Sequence, residues 1–272
     1  MNRRPATAKL NLALVVGPLR ENGKHEVATV IQRLDLADRV RVEAAPRLRV
    51  TGFLPDTLVR RALEELAAEA NVAPNWHATI AKRIPVAAGL GGGSSDAATA
   101  LRLANELLDE PLPAERLLPI AAGLGADCSF FLSSGPQLGT GDGSELAPLD
   151  LPQDYWVLLL HPRGAAKAST AAVYRAFDER DGAGGFDERR AALLAALGGL
   201  TRTAELAALP RNDLASSPFA ERLLELGAFR ADVTGAGPVV YGLFLHRRLA
   251  QAARALVEPF GRVWITVPAW YG

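Results

Sequence analysis

The chain has 272 residues, 49% of them hydrophobic and 22% charged, a balance that suits a folded protein of nearly two domains and excludes a disordered one. Its 30 Lys and Arg cancel its 30 Asp and Glu, which leaves no electrostatic footprint for non-specific nucleic-acid binding, and the single cysteine, Cys128, excludes an internal disulfide and a paired-cysteine metal site. No apolar run approaches the roughly 18 residues of a membrane span, and the stretch after Arg3 and Arg4 lacks a signal-peptide cleavage site, so a cytoplasmic protein without a membrane or nucleic-acid partner is expected.

The first 55 residues have the pattern of strands. Leu10, Leu12, Leu14 and Val16 alternate with Lys9, Asn11, Ala13 and Val15, which predicts the leucines on one face and Lys9 with Asn11 on the other. Val40 and Val42, then Leu48 and Val50, alternate with arginines, as half-buried antiparallel strands with wet outer faces do. Gly17-Pro18 and Asn22-Gly23 are turn signals between them. A helix capped by Asp56 or Thr57 follows, with Leu58, Val59, Ala62, Leu63, Leu66 and Ala70 as its apolar stripe. Next come a strand over 77–84, a helix over 95–108 that Pro111 bars from continuing, a strand or buried turn over 128–132, and a glycine-rich loop over 135–143.

A second unit is expected from Leu151-Pro152, giving domains 1–151 and 152–272. It carries predicted strands over 155–160, 239–245 and 263–267 and helices over 169–179, 187–197, 218–226 and 248–257, with a flexible connection over 181–185. Strands and helices mix without a regular β-α rhythm, so the expected class is α+β rather than a doubly wound parallel sheet.

The most informative segment runs from Pro85 through Ala88, Gly89, Leu90, Gly91, Gly92, Gly93, Ser94 and Ser95 to Asp96. Four glycines in five positions let backbone N–H groups approach an anion closely. The loop enters a predicted helix, whose first N–H groups are unpaired and sit at the positive end of the macrodipole. Two serines add hydroxyls there, so the segment is a candidate phosphate site. It is neither a P-loop nor a Rossmann fingerprint, because Ser94 stands five places after Gly89 and no lysine follows.

Other candidates are more local. Lys9, within an apolar strand, must reach solvent or meet a negative partner. Asp127, at the edge of the apolar run that ends at Leu132, is either a base or ion partner or a turn residue capping a local amide. A joint reading pairs Lys9 with Asp127 beside a phosphate held by the loop. Thr234-Gly235-Ala236-Gly237 precedes an apolar strand and either presses its backbone against a ligand or makes a tight turn. His25, His77, His161 and His246 show no metal-ligand spacing.

Taken together, these segments resemble the GHMP small-molecule kinases. The resemblance rests on Ala8-Lys9-Leu10-Asn11, the loop 85–98, Leu124-Gly125-Ala126-Asp127 with Phe130-Phe131-Leu132, Ser169-Thr170 ahead of Tyr174, Asn212-Asp213-Leu214, and Thr234-Gly235-Ala236-Gly237. It implies a two-domain α+β fold, with an N-terminal domain like ribosomal protein S5 domain 2 and a C-terminal GHMP domain, and an active site in the cleft between them. It implies ATP and Mg²⁺, with Pro85, Ala88 and Gly89 to Ser95 around the triphosphate and Ser95 as a candidate Mg²⁺ contact. Lys9 and Asp127 are implied as catalytic, Asp127 orienting or deprotonating the acceptor hydroxyl and Lys9 stabilising the resulting charge. The Lys-x-Asn opening and the Asn-Asp-Leu triplet set the chain apart from the mevalonate, homoserine and galactose kinases. They point to the branch acting on a cytidine-diphosphate-linked methylerythritol in isoprenoid precursor synthesis. Asn11, His25, Tyr174, Thr234 and Gly235 are then implied as substrate-binding, His25 reading the cytosine edge and Tyr174 stacking on its ring. Lys24 stands where the family has an aromatic residue and is available for a phosphate. The competing readings are another GHMP kinase of mevalonate or homoserine type and a catalytically silent nucleotide-binding protein. A monomer or weak homodimer is expected.

Overall fold

The computed structural model describes residues 3–53, 58–165 and 169–269, so the expected cap at Asp56 or Thr57 lies outside the described residues. Two long strands, β1 (Arg4–Leu19) and β2 (His25–Ala44), run antiparallel and dominate the first sheet. The far edge of β2 is shared. Its second half pairs with β4 (Trp76–Ala81), which carries the short parallel β3 (Arg49–Thr51), and its first half pairs with the hairpin of β5 (Gln137–Thr140) and β6 (Glu145–Pro148). Four helices belong to the same half of the chain: α1 (Leu58–Ala70), α2 (Gly92–Asn105), α3 (Ala114–Leu124) and α4 (Ala126–Leu132).

The second sheet has the order β10-β7-β9-β8, built from β7 (Trp156–Pro162), β8 (Arg230–Val233), β9 (Val240–Phe244) and β10 (Gly261–Thr266), all antiparallel. Helices α5 (Thr170–Glu179), α6 (Phe186–Gly198), α7 (Pro218–Glu225) and α8 (Arg247–Val257) complete it, with a 3₁₀ turn at Thr203–Ala208. One core joins the two sheets, Leu10, Leu12, Val30 and Leu34 meeting Val157, Leu159, Tyr241 and Leu243. A second core lies between the first sheet and its helices, with Val40, Ala78 and Ile80 against Leu63, Leu66, Leu101 and Cys128. Among the described residues, no helix is long and apolar enough to cross a membrane.

Several expectations need correction. The two cores cover both faces of β1 and of the first half of β2, whereas the expected wet face is present where the arginines alternate, Arg39, Arg47 and Arg49 being exposed and Arg41 half-buried; β3, expected to be antiparallel, pairs parallel to β4. The leucines of β1 do not share one face. A register shift between Asn11 and Ala13 inserts an extra residue, so Ala8, Leu10 and Leu12 face the second sheet before it, and Ala13 and Val15 after it. Leu14 and Val16 turn instead toward Phe177 and Leu214, on the side of Lys9 and Asn11. A bulge switches strand parity in this way, which a period-of-two reading cannot anticipate. Gly17-Pro18 lies within β1, and the turn falls at residues 20–24. The segment expected as strand or turn at 128–132 is the body of α4, and the expected loop 135–143 contains β5. Helix α2 begins three residues before the expected Ser95.

The bulge also leaves the Leu12 carbonyl without a strand partner at the junction of the two sheets. Arg230 Nη2 donates to it at 2.6 Å and the Tyr241 hydroxyl at 3.1 Å. The same guanidinium reaches the carbonyls of Leu209 at 2.5 Å and Pro210 at 2.7 Å, and its Nε donates to the Tyr241 hydroxyl at 3.1 Å. Arg230 is 4% exposed, so removing it strands several buried acceptors that water cannot reach. Arg230→Leu is expected to lower the unfolding free energy by about 3 kcal/mol or more in urea titration, since each stranded acceptor costs about 1–3 kcal/mol.

Candidate active site

The glycine-rich segment forms the wall of a cleft of about 510 Å³, which Lys9, Asn11, Thr29, Asp127, Tyr174 and Gly235 also line. Two contacts fix the loop. Lys9 N donates to the Leu90 carbonyl at 2.9 Å, which ties the loop to β1. Gly89 has φ +80°, and a Cβ on it would lie 2.5 Å from the Thr234 carbonyl oxygen, so only glycine lets the loop press on the turn between β8 and β9. Gly91 is the left-handed residue before α2, and a Cβ there would meet Lys9 Cγ at 2.8 Å and the Phe131 ring at 3.0 Å. No side chain caps α2, and Gly91, Gly92, Gly93 and Ser94 at its start line the cleft. That arrangement turns unpaired N–H groups and the positive helix end toward whatever anion enters.

Lys9 and Asp127 converge here. Lys9 Nζ lies 3.5 Å from Asp127 Oδ1 and 2.6 Å from Asn11 Oδ1. Lys9 is only 7% exposed, whereas the Asp127 side chain, in the first turn of α4, keeps 38% of its surface. A buried ammonium is thus balanced by a carboxylate that still faces the open cleft. Asn11 is itself oriented, its Nδ2 donating to Thr29 Oγ1 at 2.8 Å and its main-chain N to Thr234 Oγ1 at 3.1 Å. Tyr174 faces the same space, and burial together with the charge of Asp127 pushes its hydroxyl up to about 12.

The structure separates some of the expected residues. Pro85, Ala88 and Gly89 to Ser94 line the cleft, as does Gly235. Ser95 does not: it is 1% exposed and lines a different cavity, so the serine that faces the cleft is Ser94. Thr234 is fully buried and acts through Asn11 rather than at the cleft surface. His25 and Lys24 line an adjoining cavity of about 500 Å³ that shares Asp142, Thr170 and Tyr174 with the cleft. There the His25 ring packs 4.8 Å from Tyr174, and its Nε2 lies 2.7 Å from Asp178 Oδ1. Lys24 is not free for a phosphate in this arrangement, since its Nζ donates to Asp142 at 2.6 Å and that bond, with help from Ser144, holds the Asp142 carboxyl down at about 2.

Sequence reasoning missed Thr29, Lys82, Asp142 and Asp178. Asp178 stands four residues after Tyr174 on α5, so helical spacing alone puts the two on one face. Lys82 bridges the fully buried Asp38 and Asp96 beside Gly92. Burial alone would lower its pKa, but the Asp96 charge and the hydrogen bonds to both carboxylates outweigh it and raise the value. No local pattern marks that convergence. Lys82, Phe53 and Leu58 also line the cleft, Lys82 and Leu58 beside Gly92 and Gly93 at the α2 start.

The family model for the GHMP kinases N terminal domain matches residues 57–136. A mevalonate kinase from Methanococcus jannaschii, 12% identical, shares the fold with a TM-score of 0.75 over 98% of each chain. The fold is therefore that of the GHMP kinases. A crystal structure of 4-(cytidine 5'-diphospho)-2C-methyl-D-erythritol kinase, 30% identical, superposes with a TM-score of 0.80 over 98% of this chain and 99% of that one. The 4-diphosphocytidyl-2-C-methyl-D-erythritol kinase of Streptomyces coelicolor is 40% identical over 93% of this chain and 91% of its own length. The chain belongs to the 4-diphosphocytidyl-2-C-methyl-D-erythritol kinase family.

Two outcomes are expected from this geometry. Gly89→Ala forces the loop off the Thr234 carbonyl; it is expected to raise the KM for ATP and to cost about 1–3 kcal/mol in thermal or urea unfolding. Cys128, behind Asp127, is fully buried, and burial pushes its thiol up to about 11 against the opposing hydrogen bond with Ser94. The folded protein therefore holds the protonated, unreactive form at mildly alkaline pH. Labelling by a disulfide reagent is expected to be slow in the native protein and to become complete on unfolding; rapid native labelling would contradict the burial.

Proposed function

We infer that the protein transfers the γ-phosphoryl group of ATP to the 2-hydroxyl of 4-diphosphocytidyl-2-C-methyl-D-erythritol, a step of the non-mevalonate route to isoprenoid precursors. The observation that carries the chemistry is the 3.5 Å approach of Lys9 to Asp127 beside the open N-terminus of α2. Phosphoryl transfer demands alignment and charge neutralisation more than covalent participation, and the cleft supplies both. Backbone donors of Gly91 to Ser94 hold the phosphates, and Phe53 and Leu58 wall the nucleoside end. Mg²⁺ would enter with ATP as the Mg-ATP substrate, and Ser94, whose side chain belongs to the loop-helix start that lines the cleft, would be available to it.

The acceptor hydroxyl sits against Asp127. As its oxygen bonds to the γ-phosphorus and the bridging P–O bond to ADP breaks, its proton passes to the Asp127 carboxylate. Lys9 offsets the negative charge gathered on the transferring group, and Asn11 keeps the Lys9 ammonium aimed there. The cytosine end occupies the adjoining cavity, where Asp178 fixes the His25 ring and Tyr174 supplies a stacking face. The working enzyme is cytoplasmic, with domains meeting near Leu151-Pro152.

The test is ADP release with the cytidylyl acceptor, mevalonate and homoserine offered separately. Turnover is expected with the first alone; turnover with mevalonate or homoserine instead would overturn the assignment, and nucleotide binding without transfer to any acceptor would mark a silent scaffold. Asp127→Asn is expected to lower kcat by roughly 10²–10⁴-fold with far-UV circular dichroism and nucleotide binding unchanged. Asp178→Ala, which frees the His25 ring, is expected to raise the KM for the acceptor more than it lowers kcat.

A further inference from the structure

A second cavity, of about 290 Å³, shares no lining residue with the cleft. Three guanidinium groups, from Arg4, Arg33 and Arg102, and three hydroxyls, from Thr7, Ser95 and Thr99, line it. The charges are poorly balanced. Arg4 is forked onto Glu106 at 2.6 and 2.9 Å, and the charge of Glu106 also acts on Arg102, but among the described residues neither Arg33 nor Arg102 has a carboxylate within ion-pair distance. Their Nη2 atoms donate instead to carbonyls at the end of α4, Arg33 to Phe130 at 3.0 Å and to Ser133, Arg102 to Leu132. That capping role uses one nitrogen of each side chain. It leaves Arg33 Nε buried with no hydrogen-bond partner, on a residue only 4% exposed.

The electrostatics point the same way. Burial, reinforced by the charge of Arg102, lowers Arg33 to about 10, and burial with the charge of Arg4 lowers Arg102 against the opposing charge of Glu106. Like charges brought together out of water, with a donor left over, are costly unless an anion completes the set. Planar guanidinium donors beside hydroxyls match the oxygens of a phosphate group.

We propose that this cavity binds a small phosphate-bearing anion, either inorganic phosphate or a terminal diphosphate, held by the guanidinium groups of Arg33 and Arg102 and the Thr7, Ser95 and Thr99 hydroxyls. The site is connected to the cleft. Phe131 lines the cavity and also lies 3.0 Å from the point a Cβ on Gly91 would occupy, and Ser95 N donates to the Gly91 carbonyl at 2.9 Å. An anion seated against Phe131 and Ser95 therefore braces the residue that opens α2 and abuts Lys9.

The test uses inorganic phosphate and pyrophosphate as probes, titrated calorimetrically into the full chain with its cleft saturated by ADP. Crystals soaked in tungstate, whose heavy atom scatters anomalously, locate the site. Binding is expected to weaken roughly tenfold or more in Arg102→Gln, as loss of a charge-assisted hydrogen bond does, and severalfold in Thr99→Val, with ADP affinity intact in both. Among the described residues the Thr99 hydroxyl has no hydrogen-bond partner, so that variant keeps the test open if Arg102→Gln fails to fold. A tungstate peak between Arg33 and Arg102 supports the proposal. Pyrophosphate binding tighter than phosphate assigns a diphosphate ligand, and equal binding assigns phosphate. Unchanged affinity in folded variants, a peak confined to the cleft, or a response that sulfate and chloride reproduce equally (an adventitious ion only) overturns it.

Discussion

A lysine ammonium buried in the middle of a strand is the constraint around which this molecule is arranged. Lys9 sits on β1 between two hydrophobic cores, where an unpaired charge costs several kcal/mol. Asp127 and Asn11 meet that cost at 3.5 and 2.6 Å. Because Asp127 comes from α4, more than a hundred residues away, the pair holds the helical layer to the sheet at the one place where the cleft opens. The carboxylate stays partly solvated, so the pair remains reachable by an acceptor hydroxyl.

Glycine supplies the second constraint. The loop before α2 and the turn between β8 and β9 come from opposite ends of the chain, and at Gly89 they approach closer than any side chain permits. Gly235 repeats the motif from the other side, a Cβ there lying 3.3 Å from Asn11 Oδ1. Asn212 fastens this turn, its Nδ2 donating to the Val233 and Gly235 carbonyls at 2.9 and 2.7 Å. Asp213 then accepts from Val16 N at 2.8 Å and so lays the segment along β1. The Asn-Asp-Leu triplet thus acts as a clasp between the second sheet and the strand that carries Lys9.

Much of this was legible beforehand because it is local. Helices α1, α5, α7 and α8 follow from apolar spacing, with Ser169 and Ser217 capping α5 and α7 by accepting from Ala172 N and Phe219 N. The glycine-rich loop was legible as a candidate anion site, since close-approaching backbone followed by a helix start offers unpaired N–H groups, and the structure places it along the cleft. The failures were non-local. At β1 a bulge reversed the facing of Leu14 and Val16. At α4 the short apolar run over 128–132, within a helix of seven residues, was too short for periodicity to separate helix from strand. At Ser94 and Ser95 one residue of helical rotation decided which hydroxyl faces the cleft.

The sequence by itself determined most of the helical and extended segments, the loop that is a candidate for holding a phosphate, and that a lysine within an apolar strand needed solvent or a negative partner. These follow from the spacing of side chains within one stretch of backbone. Only the tertiary structure decided that Lys9 and Asp127 are each other's partner, that Lys24 is held by Asp142, and that Arg33 and Arg102 share a cavity without a carboxylate. Strand register and helix packing bring together groups far apart in the chain, and the same local pattern is compatible with many such pairings.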